Sequence, residues 1–433
     1  MTAATGHGGG AAAAVRGAGA PPVPELVSPT NGAGLTAAAA GEFVGGVAVP
    51  PGLPPGCALL GDGERLWPVV AGIAYLRPDD ALRAVVVDRL ARGDDAAALR
   101  LLLADQDRFA PTPPPGGHAL DRLLADDPAR GGPGRLTLRT AMRLLGFGPV
   151  GDYFAYRWLS PTYLSGLVLL GRAAAAGRPV VEVACGIGHF LRALERRGFA
   201  TAGVDVVFAK LYLARRFLDV RGPLACGDVE AGPVLAPGRD ARTAFCHDAF
   251  YFFARKDAAL AHLRALAGPT GAVAVGHVHT RGDAHAAGFP EAVDGYRARL
   301  PAGSTLLDDA ALPGVWYRGT GFPGEEAGGG AAAVAWVEGT TRDRPLDWLA
   351  PAREPGAALR RNPLLTPRGV AWPSASWRAE YEADATAARL GGAHLARLAS
   401  RVDYGDPDRA LPPRPARERA LRDRLLVDLP PRW

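Results

Sequence analysis

The chain has 433 residues and a hydrophobic content of 48%, enough to bury a sizeable core, and this length is typical of two or three domains. Its net charge is +5, but no block of basic residues is interleaved with aromatic ones, which disfavours nucleic acid as a partner. The four cysteines have neither the spacing of a metal site nor the density of a disulfide scaffold, so we expect a reducing, cytoplasmic location.

Residues 1–55 are rich in Ala, Gly and Pro, and no apolar face repeats along them. They are therefore predicted to form a disordered tail. They lack the basic start and the continuous apolar core of a signal peptide, and no apolar run in the chain reaches the length of a membrane span. We expect no association with a membrane.

Residues 56–109 are predicted to form a small accessory module of strands and helices. Residues 66–76 are rich in β-branched and aromatic residues between turns, which indicates a strand or a bent strand pair. Asp79 and Asp80 are cap candidates for a helix whose apolar residues recur at helical spacing, and a second helix is expected over residues 95–104. The N-terminal accessory region is thus expected to be small and mainly helical.

The Pro and Gly residues of 110–117 cannot continue a helix, so this stretch is predicted to be a linker. A helical region is expected over residues 118–150 and the main domain over residues 151–340. The C-terminal extension, residues 341–433, is rich in Pro, contains irregularly spaced Trp residues and has one helical stretch at 376–400. It could cap a site or bind a protein partner.

Short apolar strands alternate with helices in the main domain, which predicts an α/β fold with a doubly wound, mostly parallel sheet. In such sheets the ligand lies beyond the carboxyl ends of the strands, where the strand order reverses. Side chains at strand ends are therefore the candidates for a site. Parallel strands are expected at residues 180–184, 200–205, 223–226, 242–246 and 272–277, followed by an antiparallel hairpin at 314–321 and 332–337.

Residues at these strand ends suit a ligand that carries an amino group, a ribose and an adenine. Gly186 and Gly188 allow the backbone to turn sharply and to approach a ligand closely. Asp205 can accept hydrogen bonds from both ribose hydroxyls. Asp228 can accept one from the adenine amine, and Glu182 can pair with an ammonium group.

The stretch Glu182-Val-Ala-Cys-Gly-Ile-Gly188, with Asp205 and Asp228 downstream, resembles the class I S-adenosylmethionine-dependent methyltransferases. The resemblance implies a Rossmann-like methyltransferase fold, S-adenosyl-L-methionine as cofactor and methyl transfer as the activity. Ala184 departs from the family pattern, which usually has a glycine at this position. The cofactor-binding residues expected from the resemblance and the strand ends are Glu182, Ala184, Gly186, Gly188, Asp205, Val206, Asp228, Val229 and His247.

The acceptor is expected to be a small molecule that is methylated on oxygen or nitrogen. Residues 246–251 lack the Asn/Asp-Pro-Pro-Tyr/Phe motif of adenine-methylating relatives, which argues further against nucleic acid. A general base helps when the nucleophile is a hydroxyl, and His247 and His277 are the candidates, with His247 favoured. Aromatic stretches near the site supply the candidate substrate-binding residues, which are Tyr156, Arg157, Phe250 and Tyr251.

Three alternatives remain open from the sequence. His277 and His279, with His285 and His247, could hold a metal, but no carboxylate cluster of clear spacing supports them and no metal is expected. A nicotinamide-dinucleotide site is disfavoured because Leu191 stands where its fingerprint has a third small residue. A regulatory module that binds S-adenosylmethionine without turnover also fits the motif.

Overall fold

The computed structural model describes residues 25–105, 113–283, 287–319, 321–322, 326–339, 341, 346–353, 359–366, 369–381 and 414–433. Its strands are β1 Thr36–Ala37, β2 Phe43–Val44, β3 Val47–Ala48, β4 Ala58–Gly61, β5 Leu66–Val70, β6 Ile73–Tyr75, β7 Val180–Val183, β8 Thr201–Asp205, β9 Leu224–Cys226, β10 Thr243–His247, β11 Ala272–His279, β12 Leu307–Asp308, β13 Ala333–Gly339, β14 Leu359–Arg361, β15 Leu365–Thr366, β16 Gly369–Val370 and β17 Leu426–Asp428.

The helices are α1 Asp80–Ala91, α2 Asp95–Ala104, α3 Gly117–Asp126, α4 Leu138–Leu144, α5 Pro149–Tyr156, α6 Pro161–Ala173, α7 His189–Glu195, α8 Phe208–Phe217, α9 Lys256–Ala267, α10 Val293–Arg297, α11 Leu312–Arg318, α12 Ala375–Tyr381 and α13 Arg414–Arg422.

Eleven strands form the central sheet, in the order β1-β4-β5-β6-β9-β8-β7-β10-β11-β13-β12. The neighbouring strands β6, β9, β8, β7, β10 and β11 run parallel, and β13 is antiparallel to β11. From β7 the chain moves to β8 and β9 on one side and to β10 and β11 on the other, so the strand order reverses between β7 and β10. The predicted doubly wound, mostly parallel sheet of the Rossmann-like methyltransferase fold is confirmed.

The sheet carries a hydrophobic core on each face. Successive side chains of a strand point to opposite faces, and in β7 Val180 belongs to one buried cluster while Val181 and Val183 belong to the other. All four residues of β7, including Glu182, are buried. A carboxyl group is therefore held inside the molecule by the strand that begins the glycine loop.

The N-terminal strands extend this sheet, whereas the sequence predicts a separate module over residues 56–109. β5 and β6 form the predicted bent strand pair, which turns at Ala71 and Gly72 with φ of 53° and 75°. β6 then pairs in parallel with β9, and the amide of Leu76 donates to the carbonyl of Cys226 at 2.7 Å. The side chain of Asp79 caps α1 by accepting from the amide of Leu82.

Part of the predicted disordered tail is structured. β1 pairs with β4, Val44 and Val49 are buried, and the amide of Ala236 donates to the carbonyl of Glu25 at 2.8 Å. The prediction of disorder is therefore wrong for residues 25–55, because their partners lie far along the chain and local composition does not reveal them. Residues 1–24 lie outside the described residues.

The predicted hairpin strand at residues 314–321 is wrong, since most of this stretch lies in α11. Pro313 lies in the first turn, where its missing amide donor is tolerated, and Gly319 ends the helix with φ of 73°. Its predicted partner strand is β13, which pairs with β11 and β12. Of the predicted helix at 376–400, α12 is the described part, and residues 382–400 lie outside the described residues.

The helical region predicted over residues 118–150 contains α3 and α4 and the start of α5. Of the predicted linker, residues 113–116 have no regular structure, and residues 110–112 lie outside the described residues. The apolar helix α6 is buried over almost all of its surface because it packs between the sheet and α11. Within the part of the chain that is described, no helix has the length and apolar character needed to cross a membrane.

Candidate functional site

A cavity of about 310 Å3 lies at the carboxyl ends of the parallel strands, where the strand order reverses. This central cavity is walled by α5, by the loop after β7 and by the ends of β8, β9 and β10. Doubly wound sheets bind their ligands at this position. Ten of the predicted site residues line it, namely Arg157, Glu182, Ala184, Gly186, Asp205, Val206, Asp228, Val229, His247 and Tyr251.

The loop after β7 is held open towards the cavity by Asp205 at the end of β8. Its Oδ2 accepts from the amide of Gly186 at 2.8 Å, and its Oδ1 accepts from the amide of Val207 at 2.9 Å. Gly186 has φ of 56°, and a Cβ there would lie 2.9 Å from the ring of Phe154. Since a carboxylate has about four lone-pair sites, Asp205 can still accept from a ligand while it supports the loop.

Three residues with a Cβ adopt a left-handed backbone around the cavity. The φ angles are 56° at Ala184, 56° at Asp248 and 47° at His277. Such a conformation costs about 1–2 kcal/mol for an L-residue and persists where the surrounding structure imposes it. At Ala184 the family pattern usually has a glycine, which would adopt the same backbone without strain. The alanine in this chain therefore adds strain to the loop after β7.

Glu182 is the least satisfied polar side chain of the cavity wall. It is 3% exposed, and its Oε2 has no hydrogen-bond partner among the described residues. Burial raises the pKa of this carboxyl well above its ordinary value, and Asp205 adds to the effect, while Arg157 opposes it. A buried carboxyl group with one unpartnered oxygen suits a ligand that brings a positive charge or a hydrogen-bond donor.

Asp228 and Val229 line the cavity at the end of β9, beside Val206 at the end of β8. The Oδ1 of Asp228 accepts from the amide of Glu230 at 3.0 Å, which shapes the turn that follows β9. These residues therefore stand on the opposite side of the glycine loop from α5 and β10. The cavity thus has one wall from β8 and β9 and another from α5 and β10.

A polar cluster closes the wall formed by α5 and β10. Arg157 donates to the Oδ2 of Asp248 at 2.6 Å, and Tyr153 also bonds to both residues. Tyr251 donates to the Oδ1 of Asp248 at 3.0 Å. Burial alone would raise the pKa of Asp248, but Arg157 and the nearby His277 hold it well below its ordinary value. Asp248 is therefore an ionised carboxylate that faces the cavity.

His247 lines the cavity but does not have the chemistry of a general base. Its Nδ1 lies 3.0 Å from a guanidinium nitrogen of Arg157, which can only donate, and its Nε2 lies 3.2 Å from the hydroxyl oxygen of Ser165. Burial and the charge of Arg157 lower the pKa of His247 to about 3. This placement disfavours the predicted role of His247 as base, because its lone pair is already taken and a proton is strongly disfavoured.

His277, the second predicted catalytic residue, does not line the cavity. Its Nδ1 pairs with the Oδ2 of Asp309 at 2.7 Å, and its amide donates to the Oδ1 of the same residue at 3.1 Å. Burial opposes protonation, but Asp309 and Asp248 raise the pKa of His277 to about 9. His279, two residues further along β11, pairs through its Nδ1 with Asp283.

Three further predicted residues lie away from the cavity. A Cβ on Gly188 would meet Val220 at 3.0 Å, so this glycine permits close packing of α7. Tyr156 packs edge-on against Trp433, with ring centroids 5.5 Å apart. Phe250 is fully buried against Trp336, also with centroids 5.5 Å apart. The predicted substrate-binding roles of Tyr156 and Phe250 and the predicted cofactor contact of Gly188 do not agree with this placement.

Several residues that line the cavity were not chosen as site residues from the sequence. Asp248 directly follows β10, and its position at a strand end beside His247 was the signal for it. Tyr153 and Phe154, in α5, belong to an aromatic stretch that the sequence places near the site, although neither was chosen. Phe190, at the start of α7, follows the glycine loop directly and its ring also faces the cavity.

Residues 181–275 match the family model described as a methyltransferase domain. The match begins in β7 and ends in β11, so it contains the glycine loop, Asp205, Asp228 and Asp248. The segment from β7 to β11 is therefore similar to known methyltransferase domains. In a sequence search, no curated protein matches the chain.

Two solved structures are similar to part of the chain at low identity. A chain of the complex between the Trm112 methyltransferase activator and a methyltransferase from Haloferax volcanii is 17% identical, with coverage of 43% of this chain and 93% of that chain and a TM-score of 0.33. A Thermotoga maritima S-adenosylmethionine-dependent methyltransferase, described as a possible histamine N-methyltransferase, is 19% identical, with coverage of 44% and 94% and a TM-score of 0.31.

Proposed function

We propose that this protein transfers the methyl group of S-adenosyl-L-methionine to an oxygen or nitrogen atom of a small acceptor. The observation that carries the proposal is the buried, unpartnered carboxyl oxygen of Glu182, beside the glycine loop of a methyltransferase domain. A cation or donor is needed there to offset the cost of desolvating the carboxyl group. The ammonium group of the methionine part of the cofactor fits this need.

The remaining residues of the wall fit the other parts of the same ligand. Gly186 allows the loop to turn with φ of 56° at the cavity wall, and Asp205 retains acceptor capacity for the ribose hydroxyls. Asp228 and the backbone of Val229 lie where an adenine would extend from that ribose. Aromatic rings from Tyr153 and Phe190 enclose the methionine side of the cavity, among other rings supplied by Phe154, Tyr251, Phe252 and Phe253.

A nicotinamide-dinucleotide ligand fits this wall less well. Glu182 lines the cavity beside the glycine loop, and ionisation of its carboxyl group, which burial already disfavours, would be disfavoured further by the negative charge of a pyrophosphate. Leu191 fills the third position of the dinucleotide fingerprint, and its side chain is fully buried against Gly203. Both residues support the methyl donor over the dinucleotide.

When bound, S-adenosylmethionine supplies an electrophilic methyl group on a positively charged sulfur. The chain's own contribution is to position the acceptor, since placing a nucleophile about 3–3.5 Å from the reacting carbon in line supplies most of the benefit. Asp248 can accept a hydrogen bond from an acceptor O–H or N–H group, and Tyr153 and Tyr251 fix the orientation of its carboxylate. The aromatic walls exclude water from this end of the cavity.

The proposal is tested by calorimetric titration of S-adenosylmethionine and S-adenosylhomocysteine into the full chain and its variants. Glu182→Gln and Asp205→Asn should each weaken binding at least tenfold, which corresponds to about 1.4 kcal/mol. Glu338→Gln is the matched control, because Glu338 is also a buried strand glutamate but pairs with Arg264 at 2.7 Å, away from the cavity. Unchanged affinity in both site variants would refute the assignment.

Turnover separates an enzyme from a binding module. The chain is incubated with methyl-labelled cofactor and with either the small-molecule or the macromolecular fraction of a cell extract. We expect label in the small-molecule fraction, at a level that Glu182→Gln strongly reduces. Tight cofactor binding with no labelled product in either fraction would instead support the regulatory module, and label in protein or nucleic acid would refute the small acceptor.

A further inference from the structure

The ends of β10 and β11 bring three potential metal ligands together beside the central cavity. One donor atom each from Asp248, His277 and His279 lies within 4.8 Å of the other two. The Nε2 of His279 is 3.7 Å from the Oδ1 of Asp248. His277 and His279 are two residues apart at the end of β11, and their ring centroids are 4.9 Å apart at an interplanar angle of 81°. The site described above does not use the two histidines.

Each histidine is oriented by a second carboxylate. The Nδ1 of His277 pairs with Asp309, and the Nδ1 of His279 pairs with Asp283. Metal-binding histidines in proteins typically have this arrangement, in which one ring nitrogen donates to a carboxylate and the other is presented to the ion. The side chain of Asp309 is 4% exposed and also accepts from the amide of His277, so this ring has little rotational freedom.

The charges around the cluster also favour a divalent cation. Asp248, Asp283 and Asp309 carry three negative charges, and Arg157 supplies one positive charge by contact with Asp248. When a bound ion takes the place of any imidazole proton, both rings are neutral and these groups sum to a charge of −2, which one divalent ion would neutralise. Arg157 contacts the Oδ2 of Asp248, whereas the Oδ1 faces His279, so the two cations would use different oxygens.

We propose that Asp248, His277 and His279 bind a divalent first-row transition metal ion at the acceptor end of the central cavity. Two imidazole nitrogens and one carboxylate oxygen suit zinc or iron better than magnesium or calcium, which prefer oxygen ligands alone. The ligand atoms must approach to about 3–3.5 Å from one another around such an ion, which small side-chain rotations can achieve. Three protein ligands leave at least one coordination position of such an ion open, and Asp248 connects the cluster to the cavity wall.

The ion would act on the acceptor, and this role alone rests on the proposed function. A bound metal polarises an oxygen or nitrogen ligand and lowers its pKa, so the acceptor can lose its proton to solvent before it attacks the methyl carbon. The bond from carbon to the acceptor then forms as the bond from carbon to sulfur breaks, and the sulfonium becomes a neutral thioether. This would supply the activation that His247 cannot provide.

The test uses the full chain, freed of metal with a chelator and titrated with Zn2+ and with Co2+ in the absence of any cofactor. We expect one equivalent to bind, and Co2+ to show the visible absorption of a site with nitrogen ligands. His279→Gln should weaken binding at least 100-fold, and Asp309→Asn, which removes only an orienting partner, about tenfold or more. His118→Gln is the control, because His118 is exposed and remote from the cluster.

Two results would overturn the metal site. The first is the absence of stoichiometric binding of either ion to the folded chain, which would assign the cluster to an ion-pair network with protonated histidines. The second is equal affinity in the native chain and in His279→Gln, with circular dichroism confirming that the variant is folded. Since neither measurement involves S-adenosylmethionine, failure of the metal site and failure of the methyl-transfer proposal are distinguishable.

Discussion

Two carboxyl groups face the central cavity from adjacent strands, and their surroundings differ. Asp205 accepts from two backbone amides, whereas Glu182 is buried with one oxygen that has no partner among the described residues. Burial favours the neutral form of Glu182 and raises its pKa well above the ordinary value. A cation that binds beside it would favour the ionised form, so ligand binding and proton binding at Glu182 oppose each other.

We therefore expect binding of S-adenosylmethionine to release a proton from Glu182. Calorimetry in buffers of different ionisation enthalpy measures the number of protons released, which should approach one at a pH below the raised pKa. Glu182→Gln should bind more weakly and release none, while Glu338→Gln should behave as the native chain. A proton count that is the same in native chain and Glu182→Gln would contradict this role.

The position of Glu182, Gly186 and Asp205 at the central cavity could be predicted from the sequence, because they belong to a motif that is local in the chain. The polar cluster around Asp248 could not. Asp248 bonds to Tyr153 and Arg157, which precede it by 95 and 91 residues, and no periodic pattern links such distant positions. The sequence places His247 at the cavity, but its contact with Arg157, which disfavours the predicted role as base, comes from outside the motif.

At the scale of single elements, strands and helices with strong local signals were predicted well. Asp79 caps α1 as predicted, α2 has the predicted bounds of residues 95 and 104, and the five parallel strands of the methyltransferase domain lie where alternation with helices places them. The exception is α11, whose short apolar stretch has the composition of a strand. Its Pro313 and Gly319 are the signals that favour a helix there.

Helix α9 contains a histidine that makes stability depend on pH. Burial lowers the pKa of His262 to about 4, and its Nε2 has no partner among the described residues. Between about pH 6.5 and pH 4, the unfolded chain therefore binds a proton that the folded chain does not. Stability should fall across this range by about 2 kcal/mol, since each tenfold change in proton affinity is worth about 1.4 kcal/mol.

Replacement of His262 should remove its contribution to the loss of stability at low pH. We expect His262→Leu to show a smaller loss of unfolding free energy between pH 6.5 and pH 4, measured by urea denaturation. His118→Gln, at an exposed position, should retain the native dependence. Parallel pH profiles for the native chain and His262→Leu would show that His262 does not contribute.

At the scale of the whole molecule, the N-terminal strands and the methyltransferase strands share one sheet. The boundaries predicted from composition place these strands in different domains, because residues 73–75 and 224–226 pair across a long stretch of chain. Pairing between strands this far apart in the chain produces no pattern in the sequence around either strand. For the same reason the disordered tail was predicted too long, since residues 25–55 pack on partners far along the chain.

The shared sheet should make unfolding cooperative. Ile73 is fully buried in β6 at the boundary with β9, so Ile73→Ala should cost about 3 kcal/mol. Val85→Ala is the control, because Val85 is 45% exposed on α1, and it should cost less than about 0.5 kcal/mol. Urea unfolding should show one transition at a lower midpoint with an unchanged slope. Two separate transitions would indicate independent domains.

The pairing of β6 with β9 also bears on how the protein can be produced in shortened form. A fragment that starts at residue 151 would leave β9 as the last strand on its side of the sheet, with its backbone N–H and C=O groups unpaired. Such an edge is a template for strand addition by a second molecule and promotes aggregation. By pairing with β9, β6 thus protects this edge from aggregation. The methyltransferase domain is therefore best expressed together with the strands that precede it.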